Sequence, residues 1–244
     1  MIRKQIMIWV LAFGAAAAAS AVTEGLVAYW DFDDGNGDMA RDLSGNGHDG
    51  ELVGKADWAE GRFNGGLEFD EPLEYVAVPD HPDLDLSDAA TYMVHFKPMD
   101  SLASRRLMVK NDSVFVIFDF GNVTSIDFLV KPTNFFAESA TTEWTIGSWY
   151  HFAGTFDGST LRVYVDGKLD GEAPNNEPIA TSDLDLWIGA DDFGRPSDAF
   201  PGVLDDVRIY NRALNEREIQ EAMSGPLSVD PRRKAAVVWA NLKR

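Results

Sequence analysis

Among the residues able to do chemistry, Asp205 stands out, set in the run Val203-Leu204-Asp205-Asp206-Val207-Arg208-Ile209. Strand alternation predicts Val203, Asp205, Val207 and Ile209 on one face and Leu204, Asp206, Arg208 and Tyr210 on the other. A carboxylate among β-branched residues has to be ion-paired, hydrogen-bonded or metal-bound, because a buried unpaired charge is costly. Backbone N–H groups of the glycine-rich stretch 42–50 are one source of partners, and a cation is the other. A second chemistry is carbohydrate stacking, in which a sugar ring lies on an exposed aromatic face. Trp58, Trp144, Trp187 and Phe193 sit near loops or strand ends and are its candidates, each weighed against ordinary core packing. Phe135-Phe136, flanked by Asn134 and Glu138, is equally two-sided. His48, between glycine and aspartate, reads as a surface-loop residue. His81, His95 and His151 show no metal-ligand spacing, so zinc is not expected. Cysteine is absent, which removes thiolate metal sites, disulfides and a cysteine nucleophile. Neither a Gly-x-Ser-x-Gly elbow nor a phosphate loop occurs.

Composition narrows the partners. The chain has 244 residues, 45% hydrophobic and 25% charged, which is ordinary globular usage. Lys plus Arg is 21 against Asp plus Glu 40, a net charge of −19. That balance repels phosphate backbones and argues against nucleic acid as a partner. No basic cluster falls within the central chain to hold sulfated glycans, which leaves neutral glycans, or acidic ones bridged by a cation.

The elements that must position these residues are preceded by a targeting signal. Arg3 and Lys4 precede an apolar run over 6–19, and Ala19-Ser20-Ala21 supplies the small residues of a cleavage site. Residues 1–21 are therefore expected to be a signal peptide. The run is shorter than the ~20 residues of a membrane span, and no other run reaches that length. The expected product is exported, with no membrane span, and secreted, periplasmic or held at the cell surface. Beyond it, short β-rich runs recur at 26–32, 75–78, 91–96, 114–120, 125–130, 149–156, 161–165, 186–189 and 203–210. Many short strands with turn residues between them predict an all-β sandwich or barrel. Asp166-Gly167 predicts a tight hairpin. Asn215 with Glu218 forms a capping-box pattern for one short helix, closed by Gly225-Pro226. The last segment, 226–244, is a basic C-terminal tail whose plain reading is a partly ordered, solvated terminus.

Two motifs at opposite ends of this strand-rich region carry a family resemblance. The first is Gly25-Leu26-Val27-Ala28-Tyr29-Trp30-Asp31-Phe32-Asp33-Asp34-Gly35, continuing to Asp42-Leu43-Ser44-Gly45-Asn46-Gly47-His48-Asp49-Gly50. The second is Phe200-Pro201-Gly202-Val203-Leu204-Asp205-Asp206-Val207-Arg208-Ile209-Tyr210-Asn211-Arg212-Ala213-Leu214. Between them, Trp149–Asp157 and Val163-Tyr164-Val165-Asp166-Gly167 are similar to two further family strands. Together these resemble a laminin-G-like domain of the concanavalin A-like lectin/glucanase superfamily, of the kind found in bacterial secreted proteins, over roughly residues 24–224.

The resemblance implies a two-sheet antiparallel jelly roll over 22–225, with first and last strands side by side. It also implies Ca2+, held where the late aspartate meets the N-terminal loop. Asp33, Asp42, Asn46 and Asp205 would be its ligands and its role would be structural. Glucanases of the superfamily carry Glu-x-Asp-x-Glu along one strand, so that two carboxyls work together. No such pattern occurs here; Asp183-Leu184-Asp185 is the nearest approach. The expected function is a non-catalytic, calcium-stabilised recognition module for glycans. A protein-adhesion or structural module and a divergent glycoside-active enzyme are the alternatives.

Overall fold

A computed structural model describes residues 22–71, 73–118, 124–191 and 199–227. The expected signal peptide, residues 228–244 of the expected tail and Phe193 lie outside the described residues.

Among the described residues, sixteen strands make two sheets. In chain order they are β1 (Leu26–Trp30), β2 (Met39–Ala40), β3 (Gly50–Val53), β4 (Asp57–Glu60), β5 (Gly65–Phe69), β6 (Tyr75–Val78), β7 (Ala90–Pro98) and β8 (Arg106–Lys110). The second half supplies β9 (Val114–Phe118), β10 (Ile126–Val130), β11 (Phe135–Glu138), β12 (Tyr150–Phe156), β13 (Thr160–Val165), β14 (Lys168–Pro174), β15 (Leu186–Ile188) and β16 (Gly202–Tyr210). The first sheet runs β14-β13-β12-β7-β16-β5-β4, with β1 also on β16, and the second runs β11-β10-β9-β8-β15-β6-β3-β2. Every ladder between named strands is antiparallel. This is the expected jelly-roll sandwich, and β1 does pair with the last strand, Trp30 opposite Val207.

The core lies between the sheets. Strand β7 shows the alternation that builds it: Ala90, Tyr92, Val94 and Phe96 enter the core cluster. Their neighbours Thr91, Met93 and His95 face the opposite way and are buried too. They are buried because a second, smaller cluster covers the outer face of the first sheet. There Met93, Ala153, Tyr164 and Tyr210 meet Leu214, Ile219 and Ala222. The last two belong to the one α-helix among the described residues, α1 (Glu216–Ala222), which starts at Asn215 with both halves of a capping box. A helix of seven residues is too short to hold itself in water, so its place is set by that apolar face. The Asp166-Gly167 hairpin turn joins β13 to β14, both residues at positive φ (49° and 73°), as a primed two-residue turn requires.

The short strands β2 to β5, together with β8 and β11, were not legible as strands. Gly65 in β5 and Gly50 in β3 have to be glycine, because a Cβ at Gly65 would meet the Phe32 carbonyl and one at Gly50 the Val76 side chain. Glycine is used there for close approach rather than for turning.

Candidate functional site

The expected site residues do not gather in one place. At the N-terminal end, Asp42 organises the loop between β2 and β3. Its Oδ1 accepts the N–H groups of Tyr29 (3.0 Å) and Ser44 (2.8 Å). Its Oδ2 accepts Ser44 Oγ (2.8 Å) and the N–H groups of Gly47 and His48 (both 3.0 Å). Gly47 turns its amide toward the carboxylate at φ 89°, a conformation that a side chain would strain. Asn46 ties the same loop to β1 by donating to the carbonyls of Val27 (2.7 Å) and Leu26 (3.3 Å). Asp33 points elsewhere, accepting Gly65 N–H at 2.7 Å and Asn64 Nδ2 at 3.1 Å.

Asp205 lies on the outer side of the first sheet. A bulge falls between Asp205 and Arg208, with Asp206 at φ 52°. The extra residue breaks the alternation, so Val207 and Ile209 turn into the core while Asp205 pairs with outward-facing His95. The expectation that Asp205 shares a face with those two residues is thereby corrected. Its Oδ2 accepts Phe63 N–H at 2.9 Å, from the β4–β5 turn and not from the stretch 42–50. Burial, and then the neighbouring Asp206 charge, push its carboxyl up to about 8, against the pull of the Phe63, Arg62 and Asp206 amides. Asp33, Asp42 and Asp205 do not gather within metal-bridging distance of one another among the described residues. Asp42 is filled by N–H and O–H donors, while Asp33 serves Gly65 and Asn64 and Asp205 serves Phe63, so each carboxylate holds a separate set of protein donors. As a set, the four residues do not fit a calcium ion.

The aromatic candidates separate as clearly. Trp144 is partly buried against the core, its ring 5.5 Å from Phe96, 5.8 Å from Phe118 and 5.0 Å from Tyr150. Its Nε1 donates to the Thr124 carbonyl at 2.6 Å. Trp58 sits on edge strand β4, partly buried against the core, and donates to the Gly37 carbonyl at 3.1 Å. Both therefore have structural partners. Trp187 is different. It stacks on Tyr75 with ring centroids 4.0 Å apart and planes 7° from parallel, on the outer face of the second sheet.

That face carries a continuous cross-strand row. Register places Glu51 opposite Ala77, Ala77 opposite Trp187, and Trp187 opposite Val109. The row continues through Phe115 and Leu129 to Phe136. It crosses seven strands, or roughly 29 Å at the usual strand spacing. Trp187, Phe115 and Leu129 are half-buried, and Phe136 is exposed. Beside the row, Arg106 Nε meets Asp191 Oδ2 at 3.0 Å with both side chains buried. Lys131 Nζ lies 5.4 Å over the Phe115 ring. Asp127 and Glu138 stand opposite each other across β10 and β11, and Ser125 Oγ lies 2.9 Å from Glu138 Oε1 and 3.4 Å from Asp127 Oδ1.

Tyr75, Phe115, Arg106 and Asp191 were not singled out by sequence reasoning. Besides Trp187 and Phe136, a signal for this face was present in Val114-Phe115-Val116-Ile117-Phe118, which is apolar in both registers of a strand. Such a strand is apolar on its outward side as well as its core side.

The laminin G domain model described as the concanavalin A-like lectin/glucanases superfamily matches residues 72–220. The chain belongs to this superfamily. No curated protein matches the sequence. Among solved structures, domain 4 of an extracellular arabinanase from Geobacillus stearothermophilus, in complex with arabinotriose, superposes with a TM-score of 0.66 at 19% identity. The match covers 81% of this chain and 97% of that domain. The binding domain of Paraclostridial mosquitocidal protein 1 gives a TM-score of 0.63 at 15% identity, covering 82% of this chain and 52% of that one. The receptor binding domain of botulinum neurotoxin C/D mosaic serotype gives 0.61 at 11% identity, covering 81% and 50%. This superfamily chain thus spans nearly the whole arabinanase domain but about half of the two toxin domains. Among the described residues no helix is long and apolar enough to cross a membrane.

Proposed function

We propose that this domain is an exported, non-catalytic carbohydrate-recognition module that holds a glycan chain along the outer face of the second sheet. The observation that carries the reading is the row from Glu51 to Phe136, with Tyr75 stacked on its Trp187 from the neighbouring row. Sugar rings have one apolar face and an equatorial fringe of hydroxyls. A strip of aromatic and aliphatic side chains takes the first, and flanking polar side chains that reach solvent, Glu138 and Lys131, read the second. The net charge of −19 favours neutral glycans over acidic ones. Two structural neighbours support the class of ligand: the arabinanase domain binds arabinotriose, and a botulinum neurotoxin serotype D ligand binding domain was solved with N-acetylneuraminic acid. A glycan array followed by titration tests the reading. Binding to a defined glycan, weakened at least ~10-fold by Trp187→Ala, supports it. Binding that ignores this substitution sinks it.

The Asp127–Glu138 pair favours a second reading, a glycoside-active enzyme, because paired carboxyls on one face are what hydrolysis uses. Hydrolysis of the bound glycan that is lost in Asp127→Asn and Glu138→Gln would establish it. Binding without turnover leaves the recognition module.

A further inference from the structure

At one edge of the sandwich lies a side-chain cluster that neither the sugar-binding row nor the Asp42 loop accounts for. His48 closes the loop organised by Asp42. Its N–H donates to Asp42 Oδ2 at 3.0 Å and its carbonyl accepts Trp30 Nε1 at 2.9 Å. The backbone is thus fixed on both sides, and the residue is only 4% exposed. It is not the surface-loop histidine that its flanking glycine and aspartate suggest. Its Nε2 is buried without a hydrogen-bond partner. It is aimed at two side chains of the short turn after β6. His81 lies with its ring 5.0 Å from the His48 ring, and Asp83 Oδ2 lies 3.9 Å from His48 Nε2. Asp83 Oδ2 also lies 3.4 Å from His81 Nδ1. One ligand atom from each of the three residues falls within 4.8 Å of the others.

We infer that His48, His81 and Asp83 form a binding site for a divalent transition metal of the zinc class. The donor set decides the class. Two imidazoles and one carboxylate suit zinc and its neighbours, whereas calcium takes six to eight oxygens. A neutral imidazole with a free lone pair is the form a metal binds, and burial holds the His48 ring neutral by lowering its pKa. The arrangement is open by a small margin. Tetrahedral ligands about 2.0–2.1 Å from zinc lie about 3.3–3.5 Å apart. The two measured approaches to Asp83, 3.4 and 3.9 Å, nearly meet that spacing. His48 is anchored, while the His81 and Asp83 side chains are 51% and 59% exposed and free to close the remainder. His81 Nδ1 now accepts the Asp83 N–H at 3.2 Å. A metal at that nitrogen would displace an exposed donor, which water can satisfy. Three protein ligands leave one coordination position open to solvent or to a further ligand. When bound, the metal would tie the loop of residues 42–50 to the turn Pro82–Leu84.

The sequence gives little sign of this. His48 and His81 have no ligand spacing, and only the sandwich edge brings them together.

The test is calorimetric titration of the full, untagged chain with Zn2+, paralleled by the visible spectrum of bound Co2+. The expected result is a stoichiometric zinc isotherm, a tetrahedral cobalt spectrum and a zinc-dependent rise in melting temperature. His81→Ala and Asp83→Asn replace exposed side chains and leave the fold intact. Each should weaken zinc by at least ~10-fold and abolish the thermal shift. His48→Gln is the third variant, read only if its melting curve shows a folded protein. Zinc binding no tighter than calcium, or zinc affinity unchanged in His81→Ala, overturns the assignment.

Discussion

Asp205 sets a pH dependence whose sign follows from its surroundings. Its carboxyl is raised to about 8 in the fold, so the proton it holds stabilises the native state fully below the unfolded carboxyl range. That stability is lost as pH rises through about 8. His95 is held down to about 3, first by burial and then by the charges of Arg208 and Arg62. His151 is lowered in the same way, by burial and then by His95 and Arg208. Each contributes stability that is present above ~6.5 and lost as pH falls below it. The two histidines outweigh the one carboxyl below that point, and Asp205 acts alone above it. This cluster therefore places the melting-temperature maximum near pH 6–6.5, about the unperturbed histidine pKa. Asp205→Asn should remove the fall above that pH and be the more stable protein at pH 8; melting curves across pH 4–9 check both. Asp42 makes the opposite kind of prediction. Asp42→Ala strands the N–H groups of Tyr29, Ser44, Gly47 and His48. It should cost about 3 kcal/mol or more in urea unfolding. Sequence reasoning found Asp205 as a buried acid and, through the family resemblance, named Asp42 only as a calcium ligand. It could not divide the donors between them, because that division depends on the bulge at Asp206.

Strand β16 and helix α1 show how one element stabilises another. Arg208 is fully buried on the outer side of β16. Its Nη2 meets Asp206 Oδ1 at 3.0 Å, and Tyr29 Oη donates to that same oxygen at 2.7 Å. The guanidinium stands 4.9 Å over the Tyr29 ring and donates to the carbonyls of Ala222 and, at 2.8 Å, Gly225. It thus satisfies carbonyls at and beyond the end of α1, where a short helix has least support. Arg208→Met should leave Asp206 buried without its cation and release α1. A loss of about 3–5 kcal/mol, with faster amide exchange across residues 216–222 than in β12, is the expected outcome. Equal exchange in the two segments would contradict it. The helix itself was legible from its capping box, and the strand from its β-branched residues. Their coupling was not, since it needs Arg208 to lie outward, and strict alternation left the outward face of β16 undetermined.

At the scale of the molecule, the two sheets do different work. The outer face of the first is closed by α1 and its apolar cluster. The outer face of the second presents the partly or fully exposed side chains of Trp187, Phe115, Leu129 and Phe136, with Val109 buried among them. The jelly roll was readable from the two end motifs because each joins a strand to a run of residues with strong local chemistry. The row was not, because its members lie on separate strands and meet only through register. Trp187 was found for its type, whereas Trp58 and Trp144 shared that type and proved to be edge and core residues. The most direct test follows from this separation. Indole N–H resonances report on each tryptophan during titration with the glycan that an array identifies. The account predicts that the Trp187 signal moves with saturation while those of Trp30, Trp58 and Trp144 stay in place. Movement centred on Trp58, or saturable binding that leaves Trp187 unmoved, would contradict it.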